Sequence, residues 1–68
     1  MKLSPKETEI ITLVARGFED EEIGTKLKIS GRTVQTYLTR IMLKLNARNR
    51  TDAAVSYIKY NPEYLKQL

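Results

Sequence analysis

Apolar positions recur along this chain at the spacing of helix faces rather than of strands. Ile10, Leu13, Val14 and Gly17 fall at i, i+3, i+4 and i+7, which predicts a first helix over Pro5–Arg16. Ser4 stands as its N-cap, Pro5 at its first position and Glu7 where a capping box closes, with Leu3 placed to begin a hydrophobic staple. Gly17 supplies a left-handed stop. A short second helix opens in Glu19-Asp20-Glu21-Glu22, since carboxylates favour a helix N-terminus and Asp20 is a candidate cap. Ile23 and Leu27 share its inner face. After the cap residue Ser30, the stripe Val34, Leu38, Ile41 and Leu45 marks a third, longer helix. A fourth opens at Asn49 or Thr51, turns Ala53, Ala54, Tyr57 and Ile58 inward and Val55 and Lys59 elsewhere, and stops before Asn61-Pro62. Glu63–Leu68 form either one more turn or a frayed end. The expected fold is an all-α four-helix bundle in one domain, residues 1–68, with helices at about 5–16, 20–27, 31–45 and 50–60.

A chain of 68 residues holds one small domain with a thin core. It contains no Cys and no His, which removes thiol nucleophiles, disulfides, imidazole bases and the usual zinc ligands. No apolar run reaches the ~18–20 residues of a membrane span, and no signal peptide is visible. These exclusions leave a soluble, cytosolic, non-enzymatic module with no cofactor, no small-molecule ligand and no membrane partner as the expectation. The net charge of +4 is unevenly spread. Residues 23–51 carry seven Lys or Arg and no acid, whereas the acids concentrate before residue 23. A block of one sign is the footprint of a polyanion-binding face, or else a solvated helix surface rich in Lys and Arg.

Two helices joined by a three-to-four-residue turn, the second capped by Ser and polar outside, describe a helix-turn-helix. Such a unit wants a tiny residue where the helices meet and an apolar lock ten positions later; Gly24 and Val34 fit. Gly24 costs about 1 kcal/mol in a helix interior, so close approach of another helix's backbone is expected there. At about 100° per residue, Arg32, Thr36, Thr39 and Leu43 lie opposite the apolar stripe. Arg40 lies beside them, Gln35 and Lys44 on the flanks, and Tyr37 nearer the buried edge.

Leu3-Ser4-x-x-Glu7-x-Glu9-Ile10, Leu13 with Gly17, Glu22-Ile23, Leu27-x-Ile29-Ser30, Thr33-Val34, Ile41-x-x-Lys44-Leu45 and Arg50-Thr51-x-Ala53 stand in order and without gaps. Over residues 3–58 the chain thereby resembles the LuxR/GerE-type DNA-binding domain, the effector domain of many bacterial response regulators and quorum sensors. The resemblance implies a third helix that reads the major groove of double-stranded DNA and a fourth that forms a homodimer contact, through Val55 and, one turn on, Lys59. It places Gln35, Thr36 and Thr39 at the bases. Thr33, Tyr37 and Lys44 fall at phosphates or the edge of the contact, and Arg32 and Arg40 near the backbone. The chain departs from the family pattern at several positions. Gln35 replaces a usual Lys or Arg, Tyr37 a usual His, and Arg40 a common Asn. Gln pairs with adenine N6/N7, whereas Lys or Arg favours guanine, so one read position is expected to lean towards A. The acidic run Glu19–Glu22 stands where polar residues are common, and is expected either to tilt away from phosphates or to weaken binding.

Plainer roles compete. The threonines can be ordinary surface residues, and Leu43 a chance exposed leucine. Glu9 and Arg50 are expected to pair between the first and fourth helices in preference to an Arg50–phosphate contact. Tyr57, Tyr60 and Tyr64 are expected in core and tail packing. Among functions, a sequence-specific bacterial transcription regulator leads. A sigma-factor region 4-like module acting within RNA polymerase, and a protein-interaction module without DNA binding, are the alternatives. Any control by phosphorylation or a small molecule is expected outside these residues.

Overall fold

Each helix begins where a side chain takes up backbone N–H groups that the first turn leaves unpaired. In the computed structural model, which describes residues 2–61, α1 spans Pro5–Ala15, α2 Asp20–Leu27, α3 Gly31–Leu45 and α4 Arg50–Tyr60. Ser4 caps α1 through the Glu7 N–H at 3.2 Å, and the Glu7 carboxylate accepts the Ser4 N–H at 2.7 Å. Ser30 caps α3 through the Thr33 N–H at 3.0 Å, and Asn49 caps α4 through the Asp52 N–H at 2.8 Å. The cap of α2 differs from the expectation: Glu19, not Asp20, is the N-cap residue, and its N–H donates to the Glu22 carboxylate at 2.8 Å. Asp20 already lies in the helix, and its carboxylate goes elsewhere.

Gly17 takes the left-handed conformation, φ 92°, and the Phe18 N–H reaches back to the Leu13 carbonyl at 3.1 Å, closing α1. Two further left-handed residues end helices without glycine: Lys28 (φ 61°) after α2 and Asn46 (φ 54°) after α3. Asn tolerates that region well and Lys poorly.

Ile10, Ile11, Val14, Ile23, Val34, Leu38, Ile41 and Ala53 make the buried core, drawn from all four helices. Both α1 and α3 pack against the three other helices, while α2 and α4 each pack against α1 and α3. Gly24 shows why α2 and α3 can form a tight unit. A Cβ there would drive into the Ile29 carbonyl oxygen and crowd the backbone at Ser30 and Gly31. The close approach expected at Gly24 is present, but it comes chiefly from the turn, the Ile29 carbonyl above all, with only the first residue of the next helix, Gly31, taking part.

Two expected contacts are corrected. Arg50 does not pair with Glu9. Its guanidinium donates to the Asp20 carboxylate and, at 2.6 Å, to the Phe18 carbonyl, tying the N-termini of α2 and α4 together. Glu9 faces Lys6 at 3.4 Å on its own helix. Both groups follow their nearest opposite charge, and the α1–α2 turn brings Asp20 rather than Glu9 to the start of α4. Tyr57 does pack against the core, but Tyr60 is 74% exposed, with the Lys59 ammonium 5.9 Å from its ring centre. Position 60 closes α4 on its outer side. The expectations for Tyr64 and for residues 63–68 lie outside the described residues. Among the described residues, no helix is long and apolar enough to cross a membrane.

Candidate nucleic-acid interface

The outer face of α3 is defined by its inner one. With Val34, Leu38 and Ile41 buried, the residues Arg32, Gln35, Thr36, Thr39, Arg40 and Leu43 are exposed. The structure thus brings together on one helix face the three candidate base-reading residues and two of the candidate backbone-contact residues. The Gln35 side-chain amide has no partner among the described residues. Thr36 and Thr39 do: each hydroxyl donates to the carbonyl four residues back, on Arg32 and Gln35 respectively, both at 3.1 Å.

Thr33 is half-buried, its hydroxyl 2.9 Å from that of Ser30 at the cap. Tyr37 is also half-buried, its ring against the core and the Arg40 guanidinium 5.6 Å from the ring centre. A cation over an aromatic face is held electrostatically, so Tyr37 fixes Arg40 on the flank of the helix.

Lys44 leaves this face. Its ammonium lies 2.8 Å from the Glu7 carboxylate, itself only 3% exposed at the N-terminus of α1. The Lys44 hydrogen bond, joined by the Ser4 N–H, holds the Glu7 carboxyl below its ordinary value, against the upward push of burial. Sequence reasoning missed this pair. The signal available was the flanking position of Lys44, close enough to the buried edge to turn inward.

Other cations of the 23–51 block are also engaged. Arg50 is bound to Asp20, Arg48 lies 3.6 Å from Asp52, and the Lys26 ammonium sits 4.8 Å above the Phe18 ring. Lys28 and Arg32 are exposed and have no ion-pair partner among the described residues. Lys28 is a second residue that sequence reasoning did not single out; it stands in the turn leading to α3. Of the acidic run, Asp20 is neutralised by Arg50 and Glu22 is turned to the Glu19 N–H, while Glu21 is exposed.

Val55 and Lys59 stand one turn apart on the exposed side of α4, Val55 58% exposed. They are on a different helix from the Gln35–Thr36–Thr39 face.

Residues 1–57 match the family model described as bacterial regulatory proteins, luxR family. Among curated proteins, the transcriptional regulatory protein LiaR of Bacillus subtilis is 45% identical over 53 residues, 78% of this chain and 25% of that protein. The uncharacterized transcriptional regulatory protein YhcZ of Bacillus subtilis is 37% identical over 60 residues, 88% of this chain and 28% of that protein. The response regulator protein VraR of Staphylococcus aureus is 34% identical over 59 residues, 87% of this chain and 28% of that protein. The chain spans about a quarter of the length of these relatives.

Proposed function

The chain belongs to the luxR family of bacterial regulatory proteins, and we propose that residues 1–68 act as the sequence-specific, double-stranded-DNA-binding unit of a transcription regulator. One observation carries this reading: α3 exposes Arg32, Thr36 and Thr39 on the face opposite its buried stripe, with Gln35 on the flank and Arg40 beside them. A helix of that diameter fits a major groove about 12 Å wide. α2 and the Gly24 contact brace it from behind. Gln35 offers a free amide that matches adenine N6/N7. Arg32 and Thr33 in the first turn of α3, Arg40 beside its outer face and Lys28 in the turn before it would make phosphate contacts, which set register without reading sequence. Tyr37 acts through Arg40. Lys44, engaged by Glu7, holds the angle of α3 rather than a phosphate.

In this reading two copies join through the exposed Val55–Lys59 side of α4 and recognise inverted half-sites about one helical turn, ~10 bp, apart. The test is selection from random duplex DNA at two salt concentrations. The expected result is an enriched two-fold-symmetric site with adenine at one position, bound more weakly as salt rises. Salt-sensitive retention with no enriched site would remove the autonomous, sequence-specific part of the proposal. No retention at low salt would turn the reading to a protein-interaction module.

A further inference from the structure

The threonine hydrogen bonds on α3 bear on which base the helix accepts. A Thr hydroxyl has one hydrogen to donate and lone pairs to accept with. In Thr36 and Thr39 the hydrogen is given to the Arg32 and Gln35 carbonyls, at 3.1 Å in both cases. Each hydroxyl therefore folds back along its own helix, and the γ-methyl is the branch of the exposed side chain not tied to the backbone. The middle of the exposed face of α3 thus carries two threonines whose hydroxyl hydrogens are taken by the helix backbone.

We propose that Thr36 and Thr39 read thymine through its 5-methyl group, by apolar contact, and reject guanine because their hydroxyls have no hydrogen left to give it. This inference rests on the DNA-binding reading above. In the major groove guanine shows only acceptors, N7 and O6, whereas thymine adds a methyl group. A guanine facing either residue meets a methyl and a lone pair, and its acceptors go unpaired. A thymine buries its methyl against the threonine methyl. Three residues advance about 4.5 Å along a helix, comparable to the ~3.4 Å rise of one base step, so the two contacts fall on neighbouring base pairs. With Gln35 matched to adenine, the three outward residues together specify an A·T-rich half-site core.

The experiment takes the site enriched by selection and replaces each thymine in turn by uracil, which pairs identically but lacks the methyl. Affinity is read for the native chain and for Thr36→Val, Thr36→Ser, Thr39→Val and Thr39→Ser, with helicity and melting confirming that each folds. The expected result is a loss of roughly fourfold for uracil at one or two adjacent positions, the equilibrium weight of about one buried methyl group. The Val variants, which keep the methyl branch and lose the hydroxyl, keep the uracil penalty. The Ser variants bind about as weakly as the uracil site and no longer distinguish thymine from uracil at the position concerned. An enriched site at which uracil is tolerated everywhere, or at which Val weakens binding and Ser does not, overturns the methyl reading and leaves sequence-specific binding standing. Failure to enrich any site overturns both.

Discussion

Gly24 and Glu7 act through single atoms, and each gives a direct test. Replacing Gly24 by Ala adds helix propensity worth about 1 kcal/mol but places a Cβ against the Ile29 carbonyl, a backbone atom with little room to give. Overpacking costs about 1–3 kcal/mol or more, so the clash wins. Gly24→Ala is expected to lower the melting temperature by several degrees, at ~4–8 °C per kcal/mol for a domain of this size. Gly31→Ala serves as the contrast, because its Cβ would meet Glu21 at ordinary distances, the side chain at 3.7 Å and the backbone nitrogen at 4.0 Å. That variant is expected to be neutral or more stable by about 0.5 kcal/mol. The need for a small residue at position 24 was legible from the Gly24–Val34 spacing. That its obstacle is a carbonyl in the turn was not, since spacing locates a contact without naming the atom.

Glu7 gives a pH test whose sign follows from its environment. Its folded pKa is lowered by Lys44 and the Ser4 N–H, so its contribution is fully present above the ordinary glutamate pKa of ~4.3. That contribution is lost as pH falls through the lowered folded value. Urea unfolding of the native chain is expected to weaken steadily below about pH 5. Glu7→Gln should start less stable at neutral pH and show a flatter acid limb. Lys44→Met leaves a carboxylate that is 3% exposed without its cation, with Ser4 as its remaining donor residue. Breaking a buried pair costs about 3–5 kcal/mol; because Lys44 is 28% exposed, about 2–3 kcal/mol is expected. An acid limb unchanged by Glu7→Gln would show that other carboxylates govern it. The sequence disclosed Glu7 as a capping residue, but a second role through a side chain 37 residues away depends on how α1 and α3 cross.

At the scale of elements, the helices were legible because their signals are local. Ser4-Pro5-x-Glu7, Gly17, Ser30 and Asn61-Pro62 bound segments whose apolar spacing already runs at the helical period, and the observed limits differ by at most a residue. What escaped was tertiary in origin. Lys28 adopts a left-handed conformation that carries no sequence signature in a lysine, because the Ile29 N–H closes onto the Gly24 carbonyl at 2.9 Å and forces the chain around. A glycine relieves that strain, typically about 1 kcal/mol. Lys28→Gly is therefore expected to raise stability while removing one cation beside α3. Thermal unfolding should move up and DNA retention down. A fall in both would mean that the Lys28 stem packs usefully, and a rise in both that its charge does not meet DNA. The misassigned Glu9–Arg50 pair has the same origin: Asp20 wins Arg50 because the first residues of α2 and α4 come together.

For the whole molecule, the charge pattern and the structure give different answers about DNA, and the salt dependence of binding separates them. The sequence presents seven cations in residues 23–51 without an acid. Were all seven on phosphates, the slope of log affinity against log salt would approach about −6 per copy, at ~0.9 per phosphate neutralised. The fold gives four of them partners of its own: Lys44 on Glu7 and Arg50 on Asp20 in part-buried pairs, and Arg48 beside Asp52 and Lys26 over Phe18 at the surface, away from the outer face of α3. Lys28 and Arg32 remain unpaired among the described residues, and Arg40 is held outward by Tyr37. Three contacts give a slope of about −3 per copy, and about −5 if two copies bind paired half-sites as proposed. Arg32→Ala and Arg40→Ala should each reduce the slope per copy by about 0.9 and weaken selected and random DNA alike. Arg50→Ala should leave the slope unchanged and instead destabilise the fold, because it cuts the link between α2 and α4. A slope near −6 per copy would require the internal pairs to open on DNA, and Arg50→Ala would then lower the slope as well. Arg50 thus decides whether this charge block serves the fold before it serves the groove.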